Sequence, residues 1–102
     1  MKKVYIVYGS EDGVMGVYGS LTRAIEEALH YVRVAGGGAP RVDDVSGGSL
    51  DPMRRPPVLL TQKSMRAARK YVRHLGDRVT FYAGEGTWHY ATSAEVEAWE
   101  VE

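Results

Sequence analysis

The 102-residue sequence predicts an α+β fold, in which two helices cover one face of an antiparallel or mixed sheet of about four to six strands. Two segments with apolar residues at three- and four-residue steps, beginning near residues 21 and 65, indicate amphipathic helices. Short β-branched and aromatic runs flank these segments and indicate strands. A chain of this length fits a single domain, so we expect residues 1–102 to form one two-layer sandwich.

The first elements are a hairpin and a helix. Strands are predicted over residues 4–8 and 14–18, with the turn at Asp12-Gly13, because glycine adopts the positive φ of a tight turn at little cost. Ser20 is placed to cap the helix that follows. Its apolar stripe consists of Leu21, Ala24, Ile25, Ala28, Leu29 and Val32. Three glycines at 36–38 end this helix.

A segment rich in glycine and proline, residues 36–57, follows the first helix and contains all four prolines of the chain. Within it, Arg41-Val42 is able to pair briefly as a strand. Structureless loops longer than about 12–15 residues are usually functional or disordered, so the segment is either a mobile binding loop or a passive linker. Asp43, Asp44 and Asp51 lack the spacing of a calcium loop and are attributed to solvation of the segment.

The second half of the chain repeats the alternation of strands and helix. A strand over 58–61 precedes a helix that Ser64 is predicted to cap and Gly76 to close. The residues expected to face the core from this helix are Met65, Ala68, Tyr71, Val72 and Leu75. Strands over 79–83 and 87–92 are predicted to form a hairpin across residues 84–86.

The C-terminal segment 94–102 has two interpretations. Residues 92–95 resemble a helix capping box, whereas the acids at 97, 100 and 102, interleaved with Val96, Trp99 and Val101, suit an edge strand. We favour the strand. The predicted order is therefore ββα-loop-βαββ followed by a C-terminal strand.

The formal net charge is zero, but the charged residues are distributed unevenly along the chain. Residues 54–78 carry eight Lys or Arg and one acid, while residues 79–102 carry five Glu and no Lys or Arg. The predicted basic binding face comprises Arg54, Arg55, Lys63, Arg66, Arg69, Lys70, Arg73, His74 and Arg78. Arg69 and Arg73 are expected to face solvent. Either this face binds a partner, or its charges pair internally with acids of the first helix or the C-terminal tail.

The sequence argues against a metal site, a nucleotide site, catalysis and a membrane span. Cysteine is absent, and His30, His74 and His89 lie on different predicted elements, so no metal site and no cofactor is expected. The glycines at 36–38 follow a helix instead of preceding one, which argues against a phosphate-binding loop. No catalytic arrangement stands out, and we predict that the chain is not an enzyme. Its N-terminal apolar run is too short for a signal peptide or a membrane span, so we expect a cytoplasmic protein without a membrane partner.

Aromatic residues suggest a second surface. Neighbouring strand residues such as Phe81 and Tyr82 point to opposite faces of a sheet. Some aromatic side chains must therefore lie opposite the helices, where they suit an interface with a partner or with a second copy in a homodimer.

The N-terminal pattern carries a resemblance. Its residues are Val4-Tyr5-Ile6-Val7, then Gly16-Val17-Tyr18-Gly19-Ser20, then Ala24-Ile25-Glu26-Glu27-Ala28. This pattern, covering about a third of the chain, resembles small bacteriophage and prophage accessory proteins, in which a hairpin precedes a helix. The resemblance implies a phage-type protein that binds and modulates a host protein or complex, such as a host defence system, and it implies no catalytic residues. We expect a protein partner with an acidic surface; the alternative is a nucleic-acid-binding module that uses the basic helix 64–75.

Overall fold

The computed structural model describes residues 2–35, 39–45, 56–84 and 92–101. Its elements are β1 (Lys2–Gly9), β2 (Gly13–Tyr18), α1 (Leu21–Ala35), β3 (Arg41–Val42), β4 (Val58–Leu59), α2 (Gln62–Lys70), a π-helical turn (Tyr71–Leu75), β5 (Arg78–Tyr82) and β6 (Ser93–Val101). The strands form one antiparallel sheet in the order β2-β1-β6-β5-β3-β4. The predicted α+β class is thereby confirmed.

The N-terminal hairpin forms as predicted. The turn consists of residues 10–12, and Gly13 begins β2 opposite Gly9. Gly13 has a φ of 70°, which a residue with a Cβ adopts only under strain. On its other side, β1 pairs with β6 over eight positions, from Lys2 opposite Val101 to Gly9 opposite Ala94. The C-terminal segment is therefore a strand, as favoured, but it lies in the centre of the sheet and not at its edge.

The strand β5 also pairs with β6. Tyr82 lies opposite Ser93, and the Ala83 N–H donates to the Thr92 carbonyl at 2.7 Å. The Ala83 N–H is thus paired with Thr92 and not with Thr87, and the predicted turn at 84–86 lies mostly outside the described residues. Apart from Thr92, the predicted strand 87–92 lies outside the described residues.

One hydrophobic core joins both helices to the same face of the sheet. The apolar stripe predicted for α1 is buried along its whole length, and Ala68 and Val72 of α2 are fully buried. From the strands, alternate residues such as Val7, Phe81 and Val96 point into this core. The residues between them point to the opposite face, which we call the open face, because no described helix or strand packs on the part formed by β2, β1 and β6. At its β5 end, Tyr82 is buried beside Asp43.

The second helix begins earlier than predicted. Thr61, and not Ser64, is the capping residue: its hydroxyl accepts from the Ser64 N–H at 3.1 Å, and the Ser64 hydroxyl accepts from the Thr61 N–H at 2.8 Å. Ser64 thus acts as the third helical residue of a reciprocal capping box. The strand before the helix is correspondingly shorter, because Thr61 belongs to the cap.

The end of the helix also differs from the expected register. Leu75 was expected in the core, but it is 58% exposed, whereas Tyr71 and Val72 are buried as predicted. The reason is the π turn, in which the Gly76 N–H donates to the Tyr71 carbonyl five residues back, at 2.7 Å. This wider turn rotates the residues that follow Val72 relative to an α-helical register.

The glycine- and proline-rich segment is partly ordered into the fold. Arg41 and Val42 form the predicted short strand, and Val45 is buried. Asp43 is 5% exposed, so its assignment to loop solvation is wrong. Residues 36–38 and 46–55, including Asp51, lie outside the described part of the chain, as do most of the positions on which the choice between binding loop and linker depends.

Candidate functional site

The helix α2 and the π turn that continues it are amphipathic in charge as well as in hydropathy. Ala68 and Val72 pack against the sheet, and the side away from the sheet is basic. We call this side the cationic face; it consists of Arg66, Arg69, Lys70, Arg73 and His74. Of these, Arg69 is half-buried and the others are exposed.

These side chains surround a common depression of about 350 Å³. They come from positions 66, 69, 70, 73 and 74, whose spacing puts them on one side of a helix. Along the axis they span roughly 12 Å at 1.5 Å per residue. The arrangement concentrates positive charge in a space large enough for several carboxylate or phosphate groups.

The π turn shapes the C-terminal half of the cationic face. Turns of this kind are rare and are often found at functional sites. Here the turn carries Arg73 and His74. Lys3 of β1 reaches the same place, since its Nζ donates to the Arg73 carbonyl at 2.6 Å. That contact satisfies a carbonyl at the helix end and adds a further positive charge beneath the face.

Internal neutralisation of the cationic face is not found in the described part of the chain. The ion pairs there join Arg23 to Glu27, at 3.9 Å, and Arg78 to Asp77 and Glu95, at 3.8 and 3.7 Å. None involves the cationic face. The basic residues near the C-terminus of the helix also stabilise it, because cations in the last turns interact favourably with the helix dipole. Arg66, in the second turn of α2, is too far from the C-terminus for this effect.

Arg69 is held by the protein itself. Its guanidinium donates to the Thr22 hydroxyl of α1 at 2.8 Å, and the side chain is only partly accessible. Of the two arginines expected to face solvent, Arg73 is exposed and Arg69 is only partly so. Because the bond fixes the guanidinium between the two helices, Arg69 presents its charge with less conformational freedom than Arg66 or Arg73.

The remaining predicted basic residues do not join this face. Lys63 lines a different cavity, of about 430 Å³, beside Asp43 and Thr61. Arg78 lies on β5 and points to the open face, where Glu95 and Asp77 neutralise it. Arg54 and Arg55 lie outside the described residues. The structure therefore brings together the five residues of the cationic face and separates from them Arg78 and also Lys63, although Lys63 lies in α2.

A buried carboxylate is the polar feature that the sequence did not indicate. Asp43 accepts from the Tyr82 hydroxyl at 2.7 Å and from the Thr80 N–H at 2.8 Å. The Asp43 N–H in turn donates to the Thr80 carbonyl at 3.0 Å, so this residue ties the end of β3 to β5. Both carboxylate oxygens are thus engaged in holding strands together, which is a structural arrangement and not that of an exposed nucleophile.

The electrostatics of this tie follow from burial. Burial raises the pKa of Asp43, although the bonds from Tyr82 and Thr80 oppose the shift. Burial, and then the bond to Asp43, raise the pKa of Tyr82. The pKa of Glu95, on the neighbouring strand, is raised by burial and by the charge of Glu97. Sequence alone could not signal these shifts, because three separate segments meet here.

Within the described ranges, no three His, Cys, Asp or Glu side chains lie close enough together to hold a metal ion, and His89 is outside those ranges. Among the helices described, none has both the length and the apolar character needed to cross a membrane.

Comparison of the chain with protein-family models, curated proteins and solved structures finds no match.

Proposed function

We propose that this protein is a non-catalytic binding protein that docks its cationic face on an acidic surface of a protein partner. The observation that supports the proposal is the clustering of Arg66, Arg69, Lys70, Arg73 and His74 around one depression, without a carboxylate paired to them in the described part of the chain.

The clustering is unfavourable for the isolated helix. Like charges three and four residues apart on a helix repel one another, by about 0.2–0.5 kcal/mol for each pair at low salt. Arg66 and Lys70 form such a pair, as do Arg66 and Arg69, and Arg69 and Arg73. An acidic partner removes this repulsion on binding and is also attracted from a distance, which raises the rate of association.

An acidic protein suits the face better than a nucleic acid does. Modules that bind nucleic acids are usually basic as a whole, whereas this chain has a formal net charge of zero. Glu26 and Glu27 lie on α1, which packs on the same face of the sheet as α2. Glu95 and Glu97 lie on the open face. These acids would repel a long polyanion from neighbouring directions. A protein partner can confine its acidic groups to the roughly 12 Å length of the face.

The biological setting in the proposal comes from the N-terminal resemblance. A phage-type accessory protein acts by binding and modulating a host protein or complex, and a host defence system is one class of target. The proposal includes no catalytic residues and no cofactor.

The test measures binding of fluorescent probes by anisotropy at physiological salt. Labelled polyglutamate stands in for an acidic protein surface, and a short duplex DNA and a single-stranded oligonucleotide stand in for nucleic acids. We expect the protein to bind polyglutamate more tightly than either nucleic acid. The double variant Arg66→Glu, Arg73→Glu should lose this binding, because both side chains are exposed and their reversal removes the positive field without disturbing the core.

A matched control has the same change in net charge elsewhere. Arg23→Glu, Arg33→Glu reverses two exposed arginines of α1 that are not part of the cationic face, and it should retain polyglutamate binding. Tight binding of DNA at physiological salt, lost in the Arg66, Arg73 variant, would contradict the proposal and favour the nucleic-acid module. A log–log salt slope of about −0.7 to −0.9 per phosphate contact would support that alternative.

A further inference from the structure

The open face of the sheet exposes a contiguous group of apolar side chains. Strand alternation and register put them side by side on β2, β1 and β6. We call this group the apolar band; it consists of Val4, Ile6, Tyr8, Val14, Val17, Trp99 and Val101. Val14 and Val17 are 60% exposed and Trp99 is 50% exposed, whereas the members of the band on β1 are half-buried. Soluble monomers rarely display contiguous apolar surface of this kind without a use for it.

The dimensions of the face are those of an interface. Four strands, β2 to β5, cover about 19 Å across the sheet at a spacing of 4.8 Å. The nine residues of β6 extend about 27 Å along it. The strands β2, β1, β6 and β5 contain 6, 8, 9 and 5 residues, 28 in all, so the flat outline is roughly 450 Å². Two such faces in contact would remove roughly 900 Å² from water, which is close to the size at which specific interfaces begin.

The charges on the face permit it to meet a copy of itself. Next to the apolar band lie Glu95 and Glu97, and opposite them on β5 lies Arg78, which is within 3.7 Å of Glu95. Acidic and basic groups are therefore mixed, and two copies of the face do not confront each other with a single sign of charge. Two cationic faces would repel each other, so self-association through the helical side is disfavoured.

We propose that the open face is the interface of a homodimer, in which the sheets of two copies pack face to face. Facing sheets lie about 10 Å apart, and their inner side chains form a new core. Homodimer interfaces are more apolar than the average surface, and twofold symmetry is the commonest arrangement of soluble oligomers. In this dimer the helices lie outside, and each copy presents its cationic face to solvent. The inference does not depend on what the cationic face binds.

Edge pairing through β2 is the competing route to a dimer. Among the described strands, β2 lies at one edge of the sheet, so one side of it is not paired with another strand. The residues of β2 carry no charge that would discourage pairing at this edge. The two routes differ at Trp99, which lies on β6 in the interior of the sheet, two strands from the free edge of β2. Trp99 is in the interface of a face-to-face dimer and outside that of an edge-paired dimer.

The experiment measures molecular mass by sedimentation equilibrium over a wide range of protein concentration. The wild-type chain should sediment as a dimer that dissociates on dilution. The variants Val17→Glu and Trp99→Glu should each weaken the dimer at least about tenfold, because a carboxylate would be buried without a partner. Val34→Glu is the matched control, since Val34 is 74% exposed on α1, on the other side of the molecule.

Each outcome bears on the proposal. Dimerisation that survives in Val34→Glu but is weakened in both band variants supports it. A wild-type chain that is monomeric at all concentrations overturns it, as does a dimer unaffected by the band variants or equally weakened by Val34→Glu. Weakening by Val17→Glu alone indicates edge pairing and also overturns it. Circular dichroism checks the fold of each variant, and Val101→Glu on the same strand replaces Trp99→Glu if that variant does not fold.

Discussion

Tyr82→Phe removes one hydroxyl group and nothing else from the junction between β3 and β5. That hydroxyl donates to Asp43 at 2.7 Å, and Asp43 is 5% exposed, so water cannot readily replace the lost bond. A hydrogen bond to a charged group contributes about 1.5–3 kcal/mol. We therefore expect the variant to lose about 2 kcal/mol of unfolding free energy at neutral pH.

The pH dependence of this loss gives a second check on the same contact. The pKa of Asp43 is raised from 3.8, so the folded state holds the proton more tightly than the unfolded state does. For this group, stability is greatest below pH 3.8 and falls as the pH rises through the folded-state pKa. Loss of the Tyr82 bond raises that pKa further, because the bond favours the ionised form. Below pH 3.8 the bond joins two neutral groups, and its loss should cost only about 1 kcal/mol.

Urea denaturation followed by circular dichroism, at neutral pH and again below pH 3.8, measures the loss of unfolding free energy under each condition. Tyr8→Phe is the control, because it deletes the same group from the open face and the described residues provide no hydrogen bond to the Tyr8 hydroxyl. If Tyr82→Phe were no more destabilising than Tyr8→Phe, or if its effect did not shrink in acid, the stabilising role of the bond between Tyr82 and Asp43 would be refuted.

Two further substitutions examine local geometry by the same denaturation assay. Thr61→Ala deletes the hydroxyl that caps α2 and should destabilise the protein by about 1 kcal/mol; an unchanged stability would mean that the capping box is not formed. Gly84→Ala should destabilise it by about 1–3 kcal/mol, because the new methyl group meets the backbone of Ala39. Gly19→Ala, whose methyl group meets nothing within 4 Å, should be close to neutral, and an equal loss from both glycines would contradict this reasoning.

The two proposed surfaces have a joint consequence. They lie on opposite layers of the sandwich, the cationic face on the helices and the apolar band on the sheet. A dimer formed through the band would therefore carry two cationic faces pointing outward. Such an arrangement binds a partner with repeated acidic sites more tightly than a monomer does, provided that the spacing of the sites matches that of the faces.

Local patterns in the sequence were sufficient to predict the elements that depend on neighbouring residues along the chain. The apolar stripe of α1 predicted the helix and its buried side, because helical periodicity puts those residues on one face. The Asp12-Gly13 pair predicted the first turn, since it depends on the φ of a single residue. The clustering of Arg66, Arg69, Lys70, Arg73 and His74 was also predictable, because it follows from spacing along one helix.

Only the tertiary structure decided the features that join distant segments. The central position of β6 depends on its pairing with β1, more than eighty residues away, and no local signal specifies that partner. Asp43 became a buried strand tie because β3 packs beside β5. Leu75 left the core because the π turn changed the helical register, and Arg78 was separated from the cationic face by strand alternation. In each case the outcome depends on neighbours brought together by folding, which residue spacing along the chain does not encode.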